Sequence, residues 1–140
     1  MNYPIAAACG LTLLAFMAHM TGGILQSLSI EPRKVVGGAT PPANIDVLSR
    51  NWVQTMCAFQ LVSVDLLALS AVLYLLAFTD HLSPARTIAW GVAVIYLFWA
   101  LSWLAQLLAL KRKPADYLFL GHWAFWFLCS ALVFWGSSSL

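Results

Sequence analysis

Charged residues are scarce in this chain of 140 residues, in which Asp, Glu, Lys and Arg make up 9% and hydrophobic residues 62%. A soluble domain usually carries about 25% charged residues, so the chain has too little polar surface to remain in water. Its formal net charge of +2 is also too small for a nucleic-acid-binding surface. The composition therefore predicts an integral membrane protein whose first partner is the lipid bilayer, with no nucleic-acid partner.

Motifs for catalysis and metal binding are lacking as well. The three cysteines, Cys9, Cys57 and Cys129, are odd in number and lie in separate apolar runs, so they indicate neither a disulfide framework nor a metal site. The sequence contains no HExxH motif, no phosphate-binding loop and no nucleophile elbow. We therefore expect a non-enzymatic protein with no bound metal.

The main feature of the sequence is a set of four long apolar runs. They cover residues 5–28, 53–78, 86–110 and 117–136, and each can cross a bilayer because a transmembrane helix needs about 20 apolar residues. All six prolines fall outside these runs, where a missing N–H does not interrupt a helix. The sequence predicts an all-α, four-helix transmembrane bundle that forms a single domain over residues 1–140.

The basic residues predict the orientation of the bundle. The first and third loops hold Arg33, Lys34, Arg50, Lys111, Arg112 and Lys113, whereas the other side has only Arg86. By the positive-inside rule, these two loops are cytoplasmic and both termini are extracytoplasmic. Residues 29–52 form the one long loop, in which Asn44 could cap a short interfacial helix over residues 45–50 that leads into the second span.

Asp65 is the only acidic residue inside a predicted span. It lies near the bilayer midplane, where a charged side chain costs roughly 3 kcal/mol or more and is normally paired or functional. Gln54 precedes it by three helical turns and therefore shares its helix face.

A second polar stripe is predicted in the first span, where Thr12, His19 and Gln26 recur at every seventh position. His19 and Asp65 lie at depths that differ by less than two helical turns, so a direct or water-bridged contact between them is feasible. Three interpretations stay open: a hydrogen bond that holds helices together, a proton relay, or a site that orients a ligand.

His122 opens the fourth span at a depth similar to that of His19. Two histidines on different helices can ligate a haem axially, as in membrane cytochrome b subunits. Trp99 and Trp126 lie deeper in their spans, where we expect packing between helices, with a quinone pocket as the alternative. We predict no cofactor and keep haem b or quinone as alternatives.

The order of these features resembles that of small bacterial membrane proteins that have four predicted helices and no assigned activity. The shared features are His19 followed by Gly22 in the first span, a long cytoplasmic loop, Trp52 at the entrance to the second span and Trp135 late in the fourth. The resemblance implies four helices in a bacterial membrane and implies no activity.

These observations leave three hypotheses for function. The leading one is a multi-pass inner-membrane protein that acts as an accessory subunit of a larger complex or as a homo-oligomer, binding a partner or a lipid-soluble ligand around His19 and Asp65. The second is a small proton-coupled transporter in which Asp65 carries the proton. The third is a haem- or quinone-binding membrane anchor that uses His19 and His122.

Overall fold

A computed structural model describes residues 1–38, 40 and 42–140 of the chain. The described residues are 82% helical and contain no β-strand. Within them, four helical segments are long and apolar enough to span a membrane: Tyr3–Ser29, Ile45–Phe78, Ala85–Ala109 and Pro114–Ser137. The four predicted spans are thus confirmed, while the orientation of the termini stays a prediction.

The first span consists of helix α1 (Tyr3–Ala18), a π-helical turn (His19–Gly23) and helix α2 (Ile24–Ser29). A π-helical turn is wider than an α-helical turn because its hydrogen bonds join residues five apart. Side chains beyond it therefore point in directions that a regular helix would not give. Pro4 lies in the first turn of α1, where no N–H is required.

Helices occupy part of the predicted long loop, residues 29–52, at both of its ends. Helix α3 (Pro32–Val36) follows α2, and helix α4 (Ile45–Phe78) begins well before the apolar run. The expected helix over residues 45–50 is present as the first turns of α4 and is continuous with the second span, while its place at the membrane interface stays a prediction. Pro41, one of the loop prolines, lies outside the described residues.

The second half of the chain contains helix α5 (Ala85–Ala109), helix α6 (Pro114–Phe119) and helix α7 (His122–Ser137). Leu120 and Gly121 separate α6 from α7, so the fourth span is interrupted close to His122. The Trp103 Nε1 atom donates a hydrogen bond to the Leu120 carbonyl oxygen at 3.1 Å, which satisfies one of the backbone groups that the interruption frees.

The helices divide into two compact units, and the division falls inside the first and second spans. One unit consists of Met1–Thr12 and Leu69–Leu140, and the other of Leu13–Ala68. In the first unit, α5 packs along α7. Small side chains are buried on both helices, Ala89, Ala93 and Ala100 on α5 and Cys129 and Ser130 on α7. Small residues let two backbones approach closely in a membrane, which explains the tight pairing.

Candidate functional site

His19 begins the π-helical turn in the unit Leu13–Ala68. Its imidazole lies almost parallel to the Phe59 ring, with centroids 3.5 Å apart and an interplanar angle of 14°. Its Nε2 atom lies 2.9 Å from the Phe59 carbonyl oxygen. Because a carbonyl oxygen only accepts, Nε2 donates this hydrogen bond, and in the neutral imidazole Nδ1 is then left as an acceptor.

Gly23 makes room for Phe59 on the same face of the π-helical turn. A Cβ atom at Gly23 would lie 2.9 Å from Phe59 Cζ, whereas one at Gly22 would meet no atom within 4 Å. The ring of Phe59 therefore reaches the backbone of the first span only because residue 23 has no side chain. The two adjacent glycines, which look equivalent in the sequence, have different surroundings.

Asp65 is exposed on α4, and it forms no hydrogen bond or ion pair with any residue that the structure describes. Ser63 and Leu66, which flank it, are buried. Phe59, which contacts His19, lies about 120° away from Asp65 around the helix at 100° per residue. His19 thus donates its hydrogen bond to a backbone carbonyl of α4, and the direct contact with Asp65 that we considered feasible is not formed.

The Asp65 face is the exposed strip of α4 formed by Gln54, Ala58, Leu61 and Asp65. At 100° per residue these four side chains lie within about 60° of one another. Gln54 shares the face of Asp65 as predicted, about 16 Å away along the helix axis. The face therefore carries one carboxyl group and one amide among apolar side chains.

The expected stripe of Thr12, His19 and Gln26 is interrupted. Thr12 is buried, His19 is half-buried and Gln26 is exposed. The seven-residue spacing predicts one face only for an uninterrupted α-helix, and the π-helical turn between His19 and Gln26 changes the register. Thr12 belongs to the other compact unit.

His122 is exposed at the start of α7, and its ring stacks on Trp103 with centroids 4.3 Å apart. His122 and His19 belong to different units, so axial ligation of a haem by the two stays a prediction. Within the described part of the chain, no three His, Cys, Asp or Glu side chains are grouped as metal ligands would be.

A buried aromatic and polar cluster around Tyr96 was missed by sequence reasoning. Tyr96 is fully buried, and its hydroxyl lies 2.7 Å from Thr12 Oγ1. Its ring stacks on Trp126 at 5.5 Å, and Trp99 meets Trp126 edge-on at 5.1 Å. The expected packing of Trp99 and Trp126 between helices is confirmed. The available signal was a tyrosine in mid-span, where its hydroxyl needs a partner.

The unit Leu13–Ala68 holds the His19–Phe59 contact and the Asp65 face, and the other unit holds the Tyr96 cluster. Asp65 is the one acidic side chain of the apolar runs, and it is exposed without a partner among the residues described; the amide side chains of Gln26, Gln60 and Gln106 are exposed as well. No family model, curated protein or solved structure matches the chain, so its function is inferred from these residues alone.

Proposed function

We propose that the protein is a non-enzymatic, multi-pass protein of a bacterial inner membrane that assembles with a second copy of itself through the Asp65 face. The observation that carries this proposal is the position of Asp65, exposed in the middle of an apolar helix with no partner among the residues described. The scarcity of charge, the basic loops and the resemblance to small bacterial membrane proteins support the location.

Lipid cannot satisfy the Asp65 carboxyl group. Hydrocarbon offers no hydrogen bonds, so a polar group facing it is costly whether the carboxyl is charged or neutral. Polar side chains in transmembrane helices accordingly face other helices or water-filled cavities. A further helix placed against the Asp65 face would remove this cost.

A second copy of the chain satisfies the carboxyl group by symmetry. The six basic residues of the first and third loops give every copy the same predicted orientation. A two-fold axis along the membrane normal then brings each residue against its counterpart at the same depth. The two Asp65 carboxyl groups can share a proton in one hydrogen bond, and the short side chain of Ala58 lets the two α4 helices approach.

The mass of the protein in mild detergent or lipid nanodiscs tests this proposal. We expect a dimer of the 15.4 kDa chain, and we expect Asp65→Leu to give a monomer that still inserts. Val64→Leu is the matched control, because Val64 is exposed at the same depth on a neighbouring face, and it should leave the dimer intact. A monomeric wild-type protein, or a dimer unaffected by Asp65→Leu, would overturn the proposal. Isolation only as part of a larger complex would favour the accessory-subunit hypothesis instead.

The same carboxyl group favours one other function, proton-coupled transport, because an Asp65 with no protein partner is free to bind and release a proton. Asp65→Asn separates the two functions. A transporter would lose pH-dependent flux in proteoliposomes, whereas assembly alone predicts no flux in the wild-type protein and a dimer that persists in the variant, because two facing amides can hydrogen-bond to each other.

A further inference from the structure

A groove runs along the outer surface of the α5–α7 pair, in the unit formed by Met1–Thr12 and Leu69–Leu140. It has a volume of about 390 Å³, and its lining includes Trp90, Ala93, Leu97, Phe127, Ser130 and Phe134. The groove is concave because Ala93 and Ser130 are small and are flanked by large side chains. Ser130 Oγ donates a hydrogen bond to the Ala93 carbonyl oxygen at 2.8 Å, so this hydroxyl is satisfied within the protein and the groove presents a hydrocarbon surface.

One end of the groove is rigid and aromatic. The Trp90 ring stacks on Phe134 with centroids 6.0 Å apart, and its Nε1 atom donates to Ser137 Oγ at 2.8 Å. Ser137 Oγ in turn donates to the Phe134 carbonyl oxygen at 2.6 Å. These contacts fix Trp90 on both its face and its edge, as is typical of a tryptophan at a membrane interface.

Arg86 places a positive charge at this end of the groove. Its guanidinium lies 5.4 Å from the centroid of the Trp90 ring, one helical turn before Trp90 on α5. The side chain is exposed and forms no ion pair with any residue in the described ranges. An apolar groove with an unpaired guanidinium at its mouth is complementary to a molecule that has an anionic head and a hydrocarbon tail.

We propose that this groove binds one acyl chain of a membrane phospholipid whose phosphate is held by Arg86. The guanidinium matches the geometry of phosphate oxygens and can donate two parallel hydrogen bonds to them. The eleven residues from Arg86 to Leu97 rise about 16 Å, which is close to half of a hydrocarbon core of about 30 Å. Arg86 and the groove together therefore span about one leaflet, with the charge at the headgroup level.

The structure favours a lipid over a helix of a second copy as the occupant. A packed helix would bury the aromatic rim, but it would leave the Arg86 guanidinium unpaired unless it also supplied an acid. Asp65, the only acidic residue in the membrane-spanning apolar runs, lies near mid-span, far from the interfacial level of Arg86. Asp80, an acid near that level, lies in the loop after α4 and not on a helix face that could pack along the groove. A phospholipid supplies both the hydrocarbon and the charge.

Native mass spectrometry of the full-length, delipidated protein tests the site. The probes are phosphatidylglycerol, phosphatidylcholine and diacylglycerol, each with the same acyl chains. We expect one tightly bound molecule of either phospholipid and at least about tenfold weaker binding of diacylglycerol, the factor expected for losing a charged hydrogen bond. Equal binding of diacylglycerol and the phospholipids would overturn the role of Arg86.

Two variants and two controls locate the site on the chain. Ala131→Phe fills the groove, since Ala131 lines it, and should abolish the bound lipid. Arg86→Gln should weaken both phospholipids about tenfold and leave diacylglycerol unchanged. Ile95→Phe, at an exposed apolar position outside the lining, and Lys111→Gln, in another loop, should leave binding unchanged.

Two results would contradict the proposed lipid site. Phospholipid binding that survives Ala131→Phe in a folded protein would overturn the proposal. So would a change from dimer to monomer in Ala131→Phe without a change in bound lipid, because the groove would then be a contact between protein chains.

Discussion

The imidazole of His19 lies 3.5 Å above the ring of Phe59 and donates its Nε2 hydrogen bond to the carbonyl oxygen of that same residue, at 2.9 Å. One residue of α4 therefore holds His19 through both its side chain and its backbone. This double contact secures the π-helical turn where the regular helix of the first span is interrupted. It also orients the histidine without any acidic partner.

Replacing His19 should show that its role is to join two helices. We expect His19→Ala to lower the free energy of unfolding by about 1–3 kcal/mol, because it removes an aromatic contact and a hydrogen bond to a backbone carbonyl. His19→Phe should recover part of the loss, since it keeps the stacking and removes only the donor. Unfolding by denaturant in detergent, followed by tryptophan fluorescence, measures the difference.

The result for the phenylalanine variant separates this structural role from a chemical one. If His19→Phe preserves stability but removes a ligand or a proton flux that the wild-type protein shows, the histidine does more than pack. If it behaves as the wild-type protein in every assay, the packing role is sufficient.

Gly22 and Gly23 should respond very differently to the same substitution. Gly23→Ala places a methyl group 2.9 Å from Phe59 Cζ, and overpacking of this kind costs about 1–3 kcal/mol. Gly22→Ala is the matched control: its methyl group meets no atom within 4 Å, and alanine favours a helix over glycine by up to about 1 kcal/mol. The midpoint temperature of thermal unfolding should therefore fall for Gly23→Ala and stay unchanged or rise for Gly22→Ala.

A double variant tests whether Phe59 is the cause. Combining Gly23→Ala with Phe59→Leu should restore part of the lost stability, because the smaller side chain can withdraw from the new methyl group. Strict additivity of the two single effects would show that the residues are not coupled.

The spans were predictable from the sequence because apolar length and proline position suffice to define a transmembrane helix. The relation of His19 to Asp65 was not predictable. Depth along the membrane follows from counting residues, but the direction of a side chain depends on helical register, and the π-helical turn at His19–Gly23 alters that register. The different surroundings of Gly22 and Gly23 were not predictable either, because which of the two glycines meets Phe59 depends on tertiary packing.

Removing either partner of the hydrogen bond between Tyr96 and Thr12 should lower the free energy of unfolding, but by different amounts. Thr12 Oγ1 donates to the Ala8 carbonyl oxygen at 2.8 Å, so the Tyr96 hydroxyl must be the donor in the 2.7 Å contact with Thr12. Tyr96→Phe leaves the Thr12 hydroxyl still donating to the Ala8 carbonyl oxygen and should cost about 1 kcal/mol. Thr12→Val leaves the fully buried Tyr96 hydroxyl without its acceptor and should cost about 1–3 kcal/mol.

The double variant Thr12→Val, Tyr96→Phe completes this cycle. It should be more stable than Thr12→Val alone, because it removes the unsatisfied hydroxyl. Equilibrium unfolding of the four proteins gives the coupling energy, and equal costs for the two single variants would contradict the assigned direction of the hydrogen bond.

The Asp65 face should be the surface at which two copies meet, and cysteine cross-linking can locate it. Cys9 and Cys129 are buried, whereas Cys57 is exposed, so Cys57→Ser gives a background without a reactive thiol on the surface of α4. In that background, Ala58→Cys should form a disulfide-linked dimer under mild oxidation in membranes, because a parallel two-fold axis pairs residue 58 with its own counterpart. Val64→Cys, exposed on a neighbouring face of α4, should remain monomeric on a non-reducing gel. Cross-linking through residue 64 but not residue 58 would place the interface elsewhere on α4, and Asp65 would then need a partner other than a second copy of this chain.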